Sequence, residues 1–189
     1  MNTNAGITIR NTGGPDVMEF TDLPDPAAGP SEVIVEIEAA GVNFIDTYHR
    51  GGLYPIELPL TPGLEGAGTI SEVGSEVEGF AIGDRVAWTS SIGSYAQRKS
   101  ATADSLVHVP DTVPIRTAAA VMLQGLTAHY LATDTFPLER GHTALIHAGA
   151  GGVGLLLTQI AKLRGVQVFT TVGSNEKAEL SEAAGADHV

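Results

Sequence analysis

The stretch HAGAGGVG, His147–Gly154, constrains this chain more than any other. The apolar run Thr143-Ala-Leu-Ile-His147 leads into it, and a second apolar stretch, Val153 to Leu163, leads out. That order reads as strand, glycine loop, helix. Gly149, Gly151 and Gly154 satisfy G-x-G-x-x-G, a dinucleotide fingerprint. The first glycine is expected to permit the tight turn off the strand. The second lets backbone approach a pyrophosphate, and the third lets helix and strand pack closely. The diphosphate then meets free N–H groups of Gly152 and Val153 at the positive end of the helix dipole. With 23 glycines in the chain, the motif alone is weak and its flanks must decide. Val153, Leu156, Leu157, Ile160 and Leu163 recur at helical spacing, with Thr158, Gln159, Lys162 and Arg164 on the other side. Gly165 stops the helix, and Val166–Thr171 reads as a second strand. The βαβ unit that the motif requires is therefore complete. The alternative is a structural glycine turn in some other α/β protein.

Upstream, residues 1–116 read as β. Ile7–Ile9 and Val17–Thr21 flank a hairpin-like turn at Gly13-Gly14-Pro15. Over Glu32–Ala40, Val33, Val35, Ile37 and Ala39 share one face, and Glu32, Ile34, Glu36 and Glu38 the other. This period of two predicts a strand with one face partly wet. Shorter strands are expected at Gly68–Val73, Asp84–Trp88, Tyr95–Lys99 and Leu106–Val109, which suggests a small barrel or sandwich. The pattern then changes. Thr117–Ala132 reads as a helix with Thr117 as its N-cap, and Ser174 caps another over Glu176–Ala184. Asp187–Val189 looks like the start of a third parallel strand. A β-rich domain, 1–116, thus precedes half of a doubly wound sheet, 117–189.

Several classes are excluded or disfavoured. The chain has no cysteine, so disulfides and thiolate metal sites are absent. Its formal net charge is −12, and no basic patch of a nucleic-acid binder is visible. The start, MNTNAGITIR, lacks the pattern of a signal peptide, and no apolar run approaches a membrane span. A cytoplasmic protein with no membrane partner is the expectation.

The ordered motifs resemble the medium-chain dehydrogenase/reductase superfamily, and within it the zinc-free NADPH:quinone oxidoreductases. Gly41-Val-Asn-Phe-Ile-Asp-Thr-Tyr48, Gly52-Leu-Tyr54, Pro62-Gly-Leu-Glu-Gly-Ala-Gly68 and Gly83-Asp-Arg-Val86 are similar to the family's catalytic domain. Met122-Leu-Gln-Gly-Leu-Thr-Ala-His-Tyr130, His147–Gly154 and Thr171-Val-Gly-Ser-Asn-Glu-Lys177 are similar to its cofactor domain. The resemblance implies a GroES-like β-domain beside a Rossmann domain, with the active site in the cleft between them, and commonly a homodimer. Zinc members place a cysteine near Asn43 and Gly-His-Glu at Gly63-Leu64-Glu65. Here only Glu65 of those ligands remains, so no metal site is expected. A quinone or enone accepts hydride without a Lewis acid, and its oxyanion needs only positioned donors. Candidate donors are Asn43, Tyr48 and Tyr54. The tyrosines read equally as half-buried aromatics with a wet hydroxyl.

The resemblance also implies the cofactor contacts. Phe44, Asp46 and Tyr48 fall beside the nicotinamide and its ribose, although Asp46 also reads as a turn or helix cap. Thr127 and Tyr130 fall on a cofactor-contacting helix, or are packing residues of it. No carboxylate precedes Glu176 after the second strand, so nothing there repels a 2′-phosphate. Gly173, Ser174 and Lys177 suit one, and the resemblance puts Lys177 on it; NADPH is the expected cofactor. Family members continue beyond Val189, and half a sheet leaves its central strand with an open edge. Two functions therefore stand: an NADPH-dependent reductase of quinones or enones, and a non-catalytic relative that binds nucleotide weakly or pairs with another chain.

Overall fold

The computed structural model describes residues 4–189. Met1–Thr3, the first residues of the stretch read above for a leader, lie outside the described residues. The chain divides into two compact units, one ending at Met122 and one running Leu123–Val189.

In the first unit, β1 (Asn4–Ile9) and β2 (Met18–Leu23) form an antiparallel pair in the register Asn4↔Leu23 to Ile9↔Met18. Beside it lies a five-stranded antiparallel sheet. Its strands are β3 (Glu32–Gly41), β4 (Glu65–Val73), β5 (Arg85–Trp88), β6 (Arg98–Thr102) and β7 (Leu106–His108), in the order β6-β3-β4-β5-β7. On β3, Val33 and Val35 are buried while Glu36 and Glu38 are exposed, as the alternation requires. Ile34 departs from it, because register shifts at Ile34/Val35 and Ile37/Ala39 break the strict period of two. One core gathers Val33, Val35, Ile70, Val86, Trp88, Ala101 and Leu106. Gly66 makes room for Trp88: a Cβ there would lie 2.5 Å from the indole. A second core sets Ala67, Ala87 and Val109 against Ala118 and Ala119.

Two expectations for this unit need correction. The strand expected at Tyr95–Lys99 is Arg98–Thr102. Residues 95–97 instead bridge β1, with Ile7 N–H donating to Tyr95 O at 2.8 Å and Gln97 N–H to Ala5 O at 2.8 Å. The signal was hidden because Lys99, on the strand, is buried. Helix α1 (Phe44–Gly51) is not among the elements expected from the sequence: its apolar side, Phe44 and Tyr48 one turn apart, spans only eight residues, too few for helical spacing to declare itself. It is held by its ends. The Asn43 N–H donates to the Asp46 carboxylate at 2.9 Å, and Gly52 closes the helix at φ 79°.

Helix α2 spans Ile115–Tyr130 and ends in a wide π-type turn over Leu131–Thr135. Thr117 is therefore inside the helix and not its N-cap. Pro114, which lacks an N–H and has φ suited to a first turn, opens it: Ala118 N–H donates to Pro114 O at 3.0 Å.

In the second unit, β8 (Thr143–His147) pairs parallel with β9 (Gln167–Thr171), with α3 (Gly152–Leu163) crossing between them. Helix α4 (Asn175–Ala183) follows, capped by Ser174 as expected. A single parallel bridge, Phe169↔His188, begins a third strand. The core joins Ala132, Leu138, Ile146, Ala161, Val166 and Val168. The face α3 turns inward is Gly154, Thr158 and Ala161, so Thr158 is fully buried and not on the polar side. Small residues let α3 sit close to the strands, and the leucines flank this line; Leu163 is 88% exposed. The opposite face of the β8–β9 pair, with Thr143, Leu145 and His147, is exposed. Among the described residues, β8 pairs with β9 alone.

Candidate functional site

Each unit carries one constellation of interest. In the second, the glycine loop leaves the carboxyl end of β8. Ala148 makes the sharp turn in the left-handed region at φ 52°. The tight turn expected of Gly149 thus belongs to its neighbour. Gly149 has a packing role: a Cβ there would lie 2.5 Å from Thr170 Cβ and 2.8 Å from Ser181 Oγ. Its N–H donates to Thr171 O at 3.0 Å, tying the loop to β9. Thr170 and Ser181 are hydrogen-bonded to each other at 2.8 Å and both buried, so this wall is rigid. Gly154 packs closely, as expected, with an added Cβ 2.9 Å from Gly149 Cα.

Gly151 caps α3. It differs from the other two glycines of the motif in facing open space beyond Ala148 O, 3.2 Å from its ideal Cβ. The open side is a cleft of about 340 Å³ lined by Ala148, Ala150, Gly151, Thr171, Val172, Gly173 and Lys177. The N–H groups of Gly152, Val153 and Gly154, in the first turn of α3, have no partner within the helix. The helix start, the cleft and the Lys177 cation together fit a phosphate-bearing nucleotide. Ser174 Oγ accepts the Lys177 N–H at 3.3 Å, which fixes the first turn of α4 beside that cleft. Thr127 donates to Leu123 O at 2.7 Å on its own helix, and Tyr130 is half-exposed at the end of α2.

In the first unit a buried polar network surrounds the start of α1. Asn43, Asp46 and Glu65 are all buried, Glu65 completely. Asn43 Nδ2 donates to Glu65 Oε2 at 2.7 Å. Asp46 Oδ2 accepts from both Asn43 N–H, at 2.9 Å, and the Tyr95 hydroxyl, at 2.8 Å. Asp46 Oδ1 is buried without a hydrogen-bond partner. Burial, then the hydrogen bond to Asp46 and its charge, then the charge of Glu65, raise the Tyr95 phenol above its ordinary value. Gly41 clears space for Glu65, since a Cβ there would lie 2.6 Å from its carboxyl carbon. Beside the network is an aromatic cluster. The rings of Phe44 and Tyr48 are 5.4 Å apart, those of Tyr48 and Tyr54 5.2 Å. Phe44 is 75% exposed and Tyr54 is 47% exposed.

The structure therefore brings Tyr48 and Tyr54 together and commits the Asn43 amide to Glu65. Sequence reading missed Tyr95, whose partner Asp46 is far away along the chain and at no diagnostic spacing.

The alcohol dehydrogenase GroES-like domain family matches residues 29–138. The chain belongs to this family. A quinone oxidoreductase of Pseudomonas aeruginosa is 51% identical over 176 residues, covering 92% of this chain and 54% of the relative. Among solved structures, a mycobacterial protein complexed with NADPH is 49% identical with TM-score 0.95, matching 99% of this chain and 57% of its own. The Escherichia coli quinone oxidoreductase complexed with NADPH is 39% identical with TM-score 0.96, matching 98% and 57%. The resemblance to medium-chain dehydrogenase/reductases holds, and the fold is a GroES-like domain followed by part of a Rossmann domain. The chain spans about half the length of the curated relatives it matches.

Proposed function

We propose that this chain serves an NADPH-dependent oxidoreductase that passes a hydride to a quinone or related conjugated carbonyl without zinc. The glycine-loop cleft with Lys177 at its edge carries the reading, and relatives solved with NADPH support it. Residues 1–116 are the GroES-like catalytic domain and 117–189 the amino-terminal half of the Rossmann domain. The nicotinamide supplies the hydride, and the protein supplies position and donors. Gly149, Gly151, Gly152, Val153 and Gly154 hold the diphosphate; Gly173, Ser174 and Lys177 take the adenosine ribose and its 2′-phosphate. Phe44, Asp46, Tyr48, Thr127 and Tyr130 serve the rest of the cofactor.

The Tyr48 and Tyr54 hydroxyls are the donors to substrate oxygen, and exposure of Tyr54 supports that role. Asn43 joins them through the Glu65-oriented amide. That same hydrogen bond supports zinc independence, because it ties up the two positions that resemblance assigns to metal ligands. Among the described residues no helix is long and apolar enough to cross a membrane. Cytoplasmic location and a homodimer complete the proposal.

A second reading, a non-catalytic chain that pairs with another, draws on the open β8 edge and on Leu145, 62% exposed. Quinone-dependent NADPH oxidation by the purified 189-residue chain separates the two. Turnover that falls in Tyr54→Phe supports the reductase. Nucleotide binding without turnover on quinones or enones supports the second reading.

A further inference from the structure

We propose that Ser91 and Lys99 form a nucleophile–base pair that takes the acyl group of a small, neutral activated ester onto Ser91 Oγ. The pair lies in the first unit and uses no residue assigned above to cofactor or substrate, so the inference stands apart from the reductase reading. Its basis is the set of three contacts that Lys99 Nζ makes with the loop after β5.

Lys99 lies on β6 and is buried, with Nζ 5.2 Å from the centre of the fully buried Trp88 ring. Nζ reaches Ser91 O at 2.7 Å, Ile92 O at 2.9 Å and Ser91 Oγ at 2.8 Å. Among the described residues no carboxylate pairs with it. The loop is held at both ends. Trp88 closes β5, Ser94 N–H donates to Gly63 O at 3.0 Å, and Ser94 Oγ accepts the Trp88 indole N–H at 2.8 Å. Between these anchors Ser90 turns in the left-handed region at φ 62°, leaving Ser90 exposed and Ser91 partly buried against Nζ.

The three contacts differ in kind. As an ammonium, Lys99 donates to all three oxygens. Once it loses a proton, the two carbonyls, which only accept, hold the two remaining N–H groups. The lone pair is then left to Ser91 Oγ, the one contact that can donate. Burial favours that neutral form and lowers the ammonium to about 8. In the acylation step Oγ bonds to the carbonyl carbon while its proton passes to Nζ. The bond from carbon to the leaving oxygen then breaks, and the proton moves from Nζ to that oxygen. Acyl-Ser91 and a free alcohol or phenol result, with no change of oxidation state. Among the described residues the Ile92 and Gly93 N–H groups have no hydrogen-bond partner in the chain, and the N–H that follows a nucleophile is a common oxyanion donor.

The test is treatment of the full chain with p-nitrophenyl acetate from about pH 6 to 10, with mass-spectrometric fragment ions locating the acetyl group. Exposed Ser90 is the internal control. The expected result is acetyl-Ser91 forming about a hundredfold faster than acetyl-Ser90, as a positioned general base contributes. The Ser91 rate should climb to about pH 8 and then level as Lys99 becomes neutral. Lys99→Arg keeps a cation and supplies no base, so Ser91 should fall to the rate of Ser90. Equal labelling of the two serines in the wild-type chain overturns the inference. So does undiminished Ser91 labelling in a Lys99→Arg chain whose circular dichroism is native. Acetyl found on Lys99 and retained in Ser91→Ala makes the lysine the nucleophile and overturns it too. If Lys99→Arg does not fold, the wild-type ratio of the two serines and the pH profile decide alone.

Discussion

The three motif glycines should separate into two kinds when each is given a methyl group. Gly149→Ala places a Cβ 2.5 Å from Thr170 Cβ and 2.8 Å from Ser181 Oγ. Neither neighbour is the free end of a flexible chain. Thr170 Cβ is anchored on β9, and Ser181 Oγ is bonded to Thr170 Oγ1 at 2.8 Å. Something in the backbone must shift, and such overpacking costs about 1–3 kcal/mol. Gly151→Ala is different. Its Cβ meets Ala148 O at 3.2 Å and Ala148 Cβ at an ordinary 4.0 Å, and Gly151 lines the cleft. It should cost less than about 1 kcal/mol of stability, as a small strain does. Yet it should weaken NADPH binding about tenfold or more, because the methyl occupies space a phosphate needs. Urea unfolding followed by circular dichroism reads the first quantity, and NADPH fluorescence the second. A Gly149→Ala chain as stable as wild type would refute the packing argument. A Gly151→Ala chain that binds NADPH normally would refute the placement of the diphosphate over that glycine.

Lys177→Gln should weaken NADPH about tenfold and leave NADH within about twofold, as loss of one phosphate-pairing cation predicts, in paired titrations. Burial pushes the Lys99 ammonium down to about 8 from 10.5, although it donates to Ser91 O, Ser91 Oγ and Ile92 O at 2.7–2.9 Å. Between those values the unfolded chain binds the proton and the folded chain does not. Stability should therefore rise with pH across that window, and Lys99→Met should abolish the rise in urea midpoints measured from pH 7.5 to 10. Tyr95 acts oppositely: its raised pKa keeps the proton in the folded state, so its contribution is lost as pH climbs past the unfolded value near 10. Asn43→Ala removes one donor to the fully buried Glu65 and should cost about 1–3 kcal/mol by thermal or urea unfolding, as loss of a hydrogen bond to a buried carboxylate does.

Much of the fold is legible in the sequence where its causes are local. The glycine loop, β8, β9 and the Ser174 cap lie in their expected places because turn, cap and helix period are properties of neighbouring residues. Helix α1 is not legible, since it is held by the Asn43–Asp46 end contact and its eight residues are too few for helical spacing to stand out. Lys99 disguises β6: a lysine in a strand reads as solvent-facing, and its burial is explained by the Ser91 and Ile92 carbonyls, the Ser91 hydroxyl and the Trp88 ring. Thr158 misleads for a related reason, as α3 chooses its inner face by smallness and not by hydropathy. The Asn43–Glu65 and Asp46–Tyr95 bonds join residues 22 and 49 apart in sequence, and no local pattern announces them. The glycine loop and the Ser174 cap are thus written in the chain, whereas the polar network around the start of α1 emerges only from the fold.

The central claim is that the glycine-loop cleft is a working NADPH site. Fluorescence titration of the purified 189-residue chain with NADPH, with NADH alongside, tests it most directly. Saturable binding of both is expected, with NADPH the tighter. No binding of either, or tighter binding of NADH, would contradict it.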